Sequence, residues 1–389
     1  MTEASLDLRP TKMESEFISM TRFLMIIGLT FHHMFQIPSS EYYPRDPIQT
    51  YSFFVPDLFN GFFHMAFMAA VPALSVISGY LFFRRRDLDF PQLLKARFFT
   101  VALPAWIWAA IWLLVGFALF KVGQKYGPFR WMNYDFDKFT GLTLLNGIVG
   151  YDQNPFALQF WFVHDLILTL LLSPVVYHLL RTTKLWALPV MFAVWLTGYV
   201  PPLFFSMNVL FFFAVGAGLA FPQVGGLQNA LEKVAHWGGY AVPVFVLALV
   251  LRLFSFKFVE VSEFIRGDFY LSLLRLLGIV SFSFVLLMLA KQDGSIKKFF
   301  LKYSGYSFFI FAAHYPLIMI VGAVAVRVPG HNSSTGFFAM WLAVPLLTAT
   351  LCVILAKLLE RFLPAVFALL NGGRNGSAPP KQVDTVSAS

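Results

Sequence analysis

Long apolar stretches separated by short polar connections run along nearly the whole chain. A helix needs about 20 apolar residues to cross the hydrocarbon core of a bilayer, so each stretch predicts a membrane-spanning helix. The fifth and sixth stretches flank Pro201 and Pro202 and form either one kinked span or a re-entrant pair. The pattern predicts an all-α integral membrane protein of about ten spans, near residues 17–37, 59–83, 98–120, 157–180, 184–200, 203–221, 237–256, 269–290, 304–326 and 337–360.

The composition supports this fold class. Of the 389 residues, 58% are hydrophobic and 13% are charged, whereas a soluble domain carries about 25% charged residues. The mean hydropathy is +0.69, and the 47 phenylalanines exclude a disordered chain. The one cysteine, Cys352, lies within an apolar stretch, which excludes a disulfide framework and a Cys-based metal site.

The lysine and arginine residues predict how the chain is oriented. With the N-terminus inside, the inner connections collect 18 of them and the outer connections 9, as the positive-inside rule requires. Both termini are therefore predicted to be cytoplasmic. Residues 1–16 form a polar tail, residues 17–370 a ten-helix membrane domain, and residues 371–389 a disordered tail rich in Gly, Ser and Pro. The basic residues are scattered at span ends, which is not the pattern of a nucleic-acid partner.

The first predicted span carries two ionisable side chains on one face. Arg22 and His33 are eleven residues apart, which on a helix is about 16 Å of rise and about 20° of rotation. Ionisable residues within spans are costly and are functional candidates. Arg22 can alternatively reach the lipid phosphates, with His33 at the outer interface. His32 points about 100° away from His33.

Other predicted spans carry polar groups at a similar depth. His64, His164, Asp165 and Arg275 fall in the outer third of their spans, and His314 lies near the middle of its own. Each alone is explained by an interhelical hydrogen bond, but their shared depth indicates a lined cavity. A histidine needs a partner that fixes its tautomer. Asp165 is the one carboxylate at the right depth to orient a histidine.

Two kinds of connection carry further candidate chemistry. After the second span, Arg84, Arg85, Arg86, Lys95 and Arg97 fall within fourteen residues. They suit either the phosphates of a soluble nucleotide-like donor or positive-inside topology and lipid headgroups. The two longest outer connections, about 38–58 and 121–156, are rich in Tyr, Trp, Asp and Asn. These residues suit either a sugar or an interfacial aromatic belt.

Five motifs follow one another along the chain. They are the Arg22 and His33 spacing, VISGYLFFRRR closing the second span, LQFWFVHDLILTLLLSP opening the fourth, FFFAVGAGLA, and SGYSFFIFAAHYPLI. In this order they resemble the membrane acyltransferase family 3, and together they cover nearly the whole chain. The residues that carry the later motifs are Ser78, Gly79, Tyr80, Arg84, Arg85, Arg86, Trp161, Phe162, Asp165, Pro174, Phe213, Gly216, Tyr306, His314 and Pro316.

The resemblance implies an O-acyltransferase with acyl-CoA, expected to be acetyl-CoA, as its co-substrate and no permanently bound cofactor. The acceptor it implies is a hydroxyl of an extracytoplasmic glycan or glycolipid. The expected donor-binding residues are Arg22, Arg84, Arg85, Arg86, Lys95 and Arg97. The expected catalytic residues are His33, as general base or acylated nucleophile, and Asp165. The expected acceptor-binding residues are His64, Trp161, His164, Arg275 and His314.

One departure from the family pattern bears on donor binding. Thr100 and Val101 stand ahead of Pro104, where the family often carries a second arginine. One phosphate contact is then either missing or supplied by Lys95.

The expected setting is the bacterial cytoplasmic membrane, among membrane lipids. Because no esterase-like domain follows the last span, acceptor acylation is completed either by the membrane domain or by a separate extracytoplasmic transferase. A proton- or substrate-coupled transporter with a His/Asp relay is the alternative function. A purely structural membrane protein is a weaker alternative, because it has no use for ionisable groups inside its spans.

Overall fold

The structure, a computed structural model, describes residues 11–34, 54–84, 88–122, 136, 139–199, 206–255, 264–265, 267–330, 333–374 and 376. Within these ranges the chain is helical and has no β-strand. The all-α class is therefore confirmed. The helices are α1 (Lys12–His33), α2 (Phe54–Ala66), α3 (Ala70–Phe83), α4 (Phe90–Arg97), α5 (Leu103–Val122), α6 (Gly141–Val149), α7 (Trp161–Leu171), α8 (Ser173–Thr182), α9 (Ala187–Leu196), α10 (Met207–Leu219), α11 (Gly226–Phe254), α12 (Asp268–Ala290), α13 (Ser295–Ser304), α14 (Ser307–Ala325), α15 (Ser334–Phe362) and α16 (Pro364–Leu370).

Fewer helical stretches of the described residues qualify as spans by length and apolar composition than the ten that the sequence predicts. Among the described residues, six helical stretches are long and apolar enough to cross a bilayer, and a seventh is added if α7 and α8 form one span bent by 57°. The bend has a local cause, because Pro174 has no N–H to donate to the carbonyl of Leu170. The predicted fifth and sixth spans correspond to α9 and α10, of only 10 and 13 residues. A multi-pass membrane protein is confirmed, and the count of ten is not.

Helix α1 lies in the middle of the bundle and contacts α3, α12, α13, α14 and α15. Its 22 residues rise about 33 Å, enough to cross a hydrocarbon core of about 30 Å. It is not among the six most apolar stretches. Its first turn is fixed by a capping box in which the Thr11 hydroxyl accepts from Glu14 N and the Glu14 carboxylate accepts from Thr11 N. An ion pair of 2.8 Å between Glu16 and Lys297 ties this end to α13.

Helices α3 and α10 pack backbone against backbone. A Cβ atom on Gly79 would overlap the carbonyl oxygen of Phe213, and one on Gly216 would overlap the carbonyl oxygen of Val76. Only glycine allows so close an approach. Two of the motif glycines therefore serve packing of the bundle.

The chain does not leave the bundle at residue 370. The side-chain amide of Asn371 donates to the carbonyl of Gly305 (3.1 Å), and the backbone N–H of Gly376 donates to Glu360 (3.2 Å). Packing thus continues past the predicted start of the disordered tail at residue 371. Residues 377–389 lie outside the described part of the chain.

Candidate active site

Two cavities lie along α1. The first, the arginine cavity, has a volume of ≈ 140 Å³. It lies between α1, α3, α7, α14 and the turn that follows α16. Its polar lining comprises three arginines and three serines, and the remaining lining is apolar: Arg22, Arg97, Arg374, Ser78, Ser304 and Ser307, with Ile26, Leu74, Leu81, Val101, Phe162, Val163, Leu166, Leu170, Phe308 and Phe311.

The second cavity, the histidine cavity, has a volume of ≈ 120 Å³ and lies at the other end of α1. Imidazole, amide, indole and guanidinium groups share it with apolar side chains. The lining is His32, His33, Gln159, Trp161, Asn208 and Arg275, with Leu29, Phe67, Met68, Val71, Pro72, Phe162 and Phe311.

Two phenylalanines separate the cavities. Phe162 and Phe311 line both of them, and their rings meet edge to face with centroids 6.1 Å apart. Helix α1 passes this wall unbroken, with Arg22 in one cavity and His33 in the other. The Arg22 and His33 stripe predicted from helical periodicity therefore places one ionisable side chain in each cavity, with a rise of about 16 Å between the two residues along the helix.

His33 lies beside a second histidine. Its side chain is buried, with its ring centroid 5.3 Å from that of His314 and 4.9 Å from that of Tyr315. His314 Nδ1 is 2.8 Å from the carbonyl oxygen of Phe311. A carbonyl oxygen can only accept, so the proton of neutral His314 sits on Nδ1 and the lone pair on Nε2. That Nε2 is buried and has no hydrogen-bond partner among the described residues.

His32 and His64 form a clasp between α1 and α2. His32 Nδ1 donates to the carbonyl of His64 (2.9 Å), and His64 Nδ1 donates to the carbonyl of His32 (3.1 Å). The two rings stack with centroids 4.1 Å apart and planes 6° apart. The His32 carbonyl lies in the last turn of α1, where backbone acceptors lack intrahelical partners. The clasp satisfies that acceptor and leaves His32 on the wall of the histidine cavity.

Asp165 lies away from both cavities. One carboxylate oxygen is 3.1 Å from His164 Nδ1, and the other accepts from the backbone N–H of Ser206 at 2.8 Å. Ser206 is the N-cap of α10, so Asp165 joins α7 to the start of α10. It makes no ion pair with Arg275, which lines the histidine cavity. The catalytic role predicted for Asp165 remains a prediction.

Two of the predicted donor-binding residues, Arg22 and Arg97, line the arginine cavity. The Arg84 guanidinium lies 5.9 Å from the Tyr80 ring, and Lys95 is exposed on α4. Arg85 and Arg86 lie outside the described residues.

Among the predicted acceptor-binding residues, Trp161 and Arg275 line the histidine cavity. His64 belongs to the clasp, His164 pairs with Asp165, and His314 neighbours His33.

The sequence analysis missed Gln159, a buried residue of the histidine cavity. Its Nε2 donates to the carbonyl of Ala312 (2.9 Å), which also accepts from Trp112 Nε1 (3.0 Å). Pro316 stands four residues after Ala312 and has no N–H to offer that carbonyl. Pro316 within an apolar stretch was therefore the signal in the sequence that a polar side chain donates to the Ala312 carbonyl. Gln159 Oε1 is buried without a partner in the described chain.

Comparisons with known proteins identify the family of the chain. A family model described as an acyltransferase domain matches residues 15–357. The chain is 26% identical over 366 residues, 92% of each protein, to the succinoglycan biosynthesis protein ExoH of Rhizobium meliloti (strain 1021). No solved structure matches. The matched domain covers well over half of the chain, which therefore belongs to the membrane acyltransferase family 3 and is an O-acyltransferase.

Proposed function

We propose that this protein moves an acyl group, expected to be acetyl, from cytoplasmic acyl-CoA to a hydroxyl of an extracytoplasmic glycan or glycolipid. The observation that carries the proposal is that α1 places Arg22 in one cavity and His33 in another, with only the Phe162 and Phe311 rings lining both. The family match favours acyl transfer over the coupled transporter. The name of the relative, a succinoglycan biosynthesis protein, favours a polysaccharide acceptor.

Donor binding belongs to the arginine cavity. Guanidinium groups are permanently charged and hydrogen-bond phosphate oxygens strongly, so Arg22 and Arg97 hold the phosphates of acyl-CoA. The charged nucleotide stays at this end because burying phosphates in the bilayer core is costly. The thin pantetheine arm passes the Phe162 and Phe311 wall and brings the thioester towards His33. This assigns the arginine cavity to the cytoplasmic side of the bacterial cytoplasmic membrane and keeps both termini in the cytoplasm.

Acyl transfer belongs to the histidine cavity. In the first route, neutral His33 takes the proton of the acceptor hydroxyl as its oxygen attacks the thioester carbonyl. The new C–O ester bond forms, the C–S bond breaks, and the CoA thiolate takes the proton from His33. In the second route, His33 attacks the carbonyl itself, releases CoA and passes the acyl group on. His314, with its proton fixed on Nδ1, presents an uncharged ring beside His33 in either route.

The acceptor hydroxyl approaches between Trp161, Gln159 and Arg275. An indole offers an apolar face to sugar C–H groups, and the unpartnered Oε1 of Gln159 is an acceptor for a sugar hydroxyl. If the final acceptor is too large to reach the cavity, a separate extracytoplasmic transferase takes the acyl group from a smaller carrier.

The test uses purified protein in sealed vesicles with labelled acetyl-CoA outside and a glycan acceptor inside. The expected result is labelled glycan in the lumen and free CoA outside, in equal amounts. Label transported unchanged as acetyl-CoA or acetate would instead support the transporter. Rapid acid-free quenching followed by intact mass separates the two routes, because only the second leaves the acyl group on His33. His33→Ala serves as the matched control.

A further inference from the structure

A third arginine reaches the arginine cavity from the far end of the chain. Arg374 lines it together with Arg22 and Arg97. Its Nη1 donates to the carbonyls of Thr100 (3.2 Å) and Asn371 (3.0 Å), and its guanidinium lies 4.7 Å above the Phe308 ring. Backbone and aromatic contacts therefore hold Arg374 in place on the wall of the cavity.

The sequence dictates this placement. Between α4 and α5 the backbone forms a π-turn (Phe98–Ala102), and Pro104 has no N–H to give the Thr100 carbonyl in the α-helical pattern. Arg374 donates to that carbonyl. The turn after α16 uses Gly372 and Gly373 at φ of 65° and 72° to reverse the chain, a conformation that favours glycine. Asn371 fixes the turn by donating to Gly305 and to Arg374 O.

The electrostatics of this cavity call for an anion. Among the described residues, its lining contains three guanidinium groups and no carboxylate. Partial burial, with the positive charges of Arg22 and then Arg97, lowers the pKa of Arg374 to about 9. The group stays protonated at neutral pH, so three like charges repel one another in a confined space. A bound polyanion relieves that repulsion and accepts hydrogen bonds from guanidinium groups.

We infer that Arg374 completes a three-arginine phosphate-binding site that takes the phosphates of the acyl-CoA donor. This inference rests on the proposed function, since it names a residue that holds the same donor. A phospholipid headgroup carries the same chemistry and is the other source of phosphate. The C-terminal turn then acts as one wall of the donor site.

The experiment measures CoA binding by calorimetry to the full chain in detergent, for wild type, Arg374→Gln, Arg22→Gln and Arg374→Lys. Arg374→Gln is expected to raise the Kd for CoA roughly 10-fold or more. Arg374→Lys should recover part of the affinity, because lysine keeps the positive charge but not the paired N–H donors of a guanidinium group. Pantetheine, which lacks the nucleotide phosphates, should bind wild type and Arg374→Gln equally weakly.

A pair of glycine variants controls for disturbance of the turn. A Cβ on Gly372 would overlap both the Thr100 carbonyl and the Arg374 guanidinium, whereas a Cβ on Gly373 meets nothing within 4 Å. Both variants place alanine at a positive φ, so they share the backbone strain. Gly372→Ala should weaken CoA binding as Arg374→Gln does, and Gly373→Ala should bind as wild type does.

The outcomes separate this inference from the proposed function. Weaker CoA binding in Arg22→Gln with unchanged binding in Arg374→Gln overturns the role of Arg374 and leaves the proposed donor intact. No CoA binding by folded wild type overturns the proposed function itself. The same CoA binding is measured in nanodiscs with and without anionic lipid. If Arg374→Gln changes CoA binding only when anionic lipid is present, the site belongs to a lipid headgroup, and donor binding by Arg374 is overturned. Loss of binding in Gly372→Ala but not Gly373→Ala, with unchanged melting temperature, supports the inference.

Discussion

The arginine cavity and the histidine cavity share one helix and one wall but differ in the chemistry of their polar groups. The arginine cavity places three guanidiniums and three hydroxyls among apolar side chains. The histidine cavity has two imidazoles, two amides, an indole and a single guanidinium. Guanidinium does not exchange protons near neutrality, whereas imidazole does.

Under the proposed function, this difference separates donor binding from acyl transfer along α1. Fixed charges at one end suit a ligand that must be held, and titratable rings at the other suit a proton that must move. Variants in the arginine cavity should therefore change donor affinity, and variants in the histidine cavity should change turnover or acceptor affinity. Each of the following substitutions tests that separation.

The largest effect is expected for His33→Ala. Removing the imidazole removes proton transfer or acyl attachment, and kcat should fall about 10²- to 10⁴-fold. The Kd for CoA should change less than about 3-fold, because His33 does not line the arginine cavity. Steady-state kinetics and CoA calorimetry measure the two quantities. An equal loss of turnover in His32→Ala would contradict the assignment of His33.

The next effect is expected for Arg22→Gln, which should raise the KM for acyl-CoA about 10- to 100-fold, since a charge-assisted hydrogen bond contributes about 1.5–3 kcal/mol. The effect on kcat at saturating donor should be much smaller. Lys95→Gln is the matched control, because Lys95 is exposed and does not line the cavity. If both substitutions raise KM equally, general surface charge and not the cavity attracts the donor.

A smaller effect is expected for Gln159→Leu, which should raise the KM for the acceptor about 3- to 10-fold and leave CoA affinity unchanged. Trp112→Phe is a sharp control, because Trp112 donates to the same Ala312 carbonyl and does not line the histidine cavity. Both should lower thermal stability, but only Gln159→Leu should affect the acceptor. Equal acceptor KM values in the two variants would reduce Gln159 to a packing role.

The smallest effect is expected for the clasp of His32 and His64. Each alanine substitution removes one hydrogen-bond donor and one ring of the stacked pair. Each should therefore lower the free energy of unfolding by about 1–2 kcal/mol. The double variant should cost clearly less than the sum of the two, because the bonds are reciprocal. Thermal melts of the four proteins give the coupling. Additive losses would show that the clasp is not one unit.

The sequence could reveal the Arg22 and His33 stripe because the geometry of a helix is fixed within one element. Depth along the span likewise indicated a cavity for Arg275, and the family resemblance supplied Trp161; both line the histidine cavity. Depth could not decide which helices are neighbours, and Asp165 accordingly lies beside His164 and Ser206. The neighbour of His33 is His314, from a helix nearly 300 residues further along the chain.

The misses have physical causes of their own. Arg374 stands in a stretch whose composition is typical of disorder, yet a Gly-Gly turn and a hydrogen bond to the Thr100 carbonyl hold it in place. Lys95, one of two alternatives for the missing phosphate contact, is exposed on α4, and its role stays a prediction. The count of ten spans treated every apolar stretch as a full crossing, whereas the bundle buries shorter helices such as α10 against α3.

The Phe162 and Phe311 wall has a consequence for the energetics of the cell that carries it. A cytoplasmic membrane holds an electrical potential worth about 2.3 kcal/mol per elementary charge for each 100 mV. A continuous wet passage between the two cavities would let protons run down that gradient with every catalytic cycle. Phe162 and Phe311 place two edge-to-face apolar rings where the cavities adjoin. If the substrates meet from opposite sides of the membrane, as proposed, the enzyme must also block proton leakage, and these rings are the groups placed to do so.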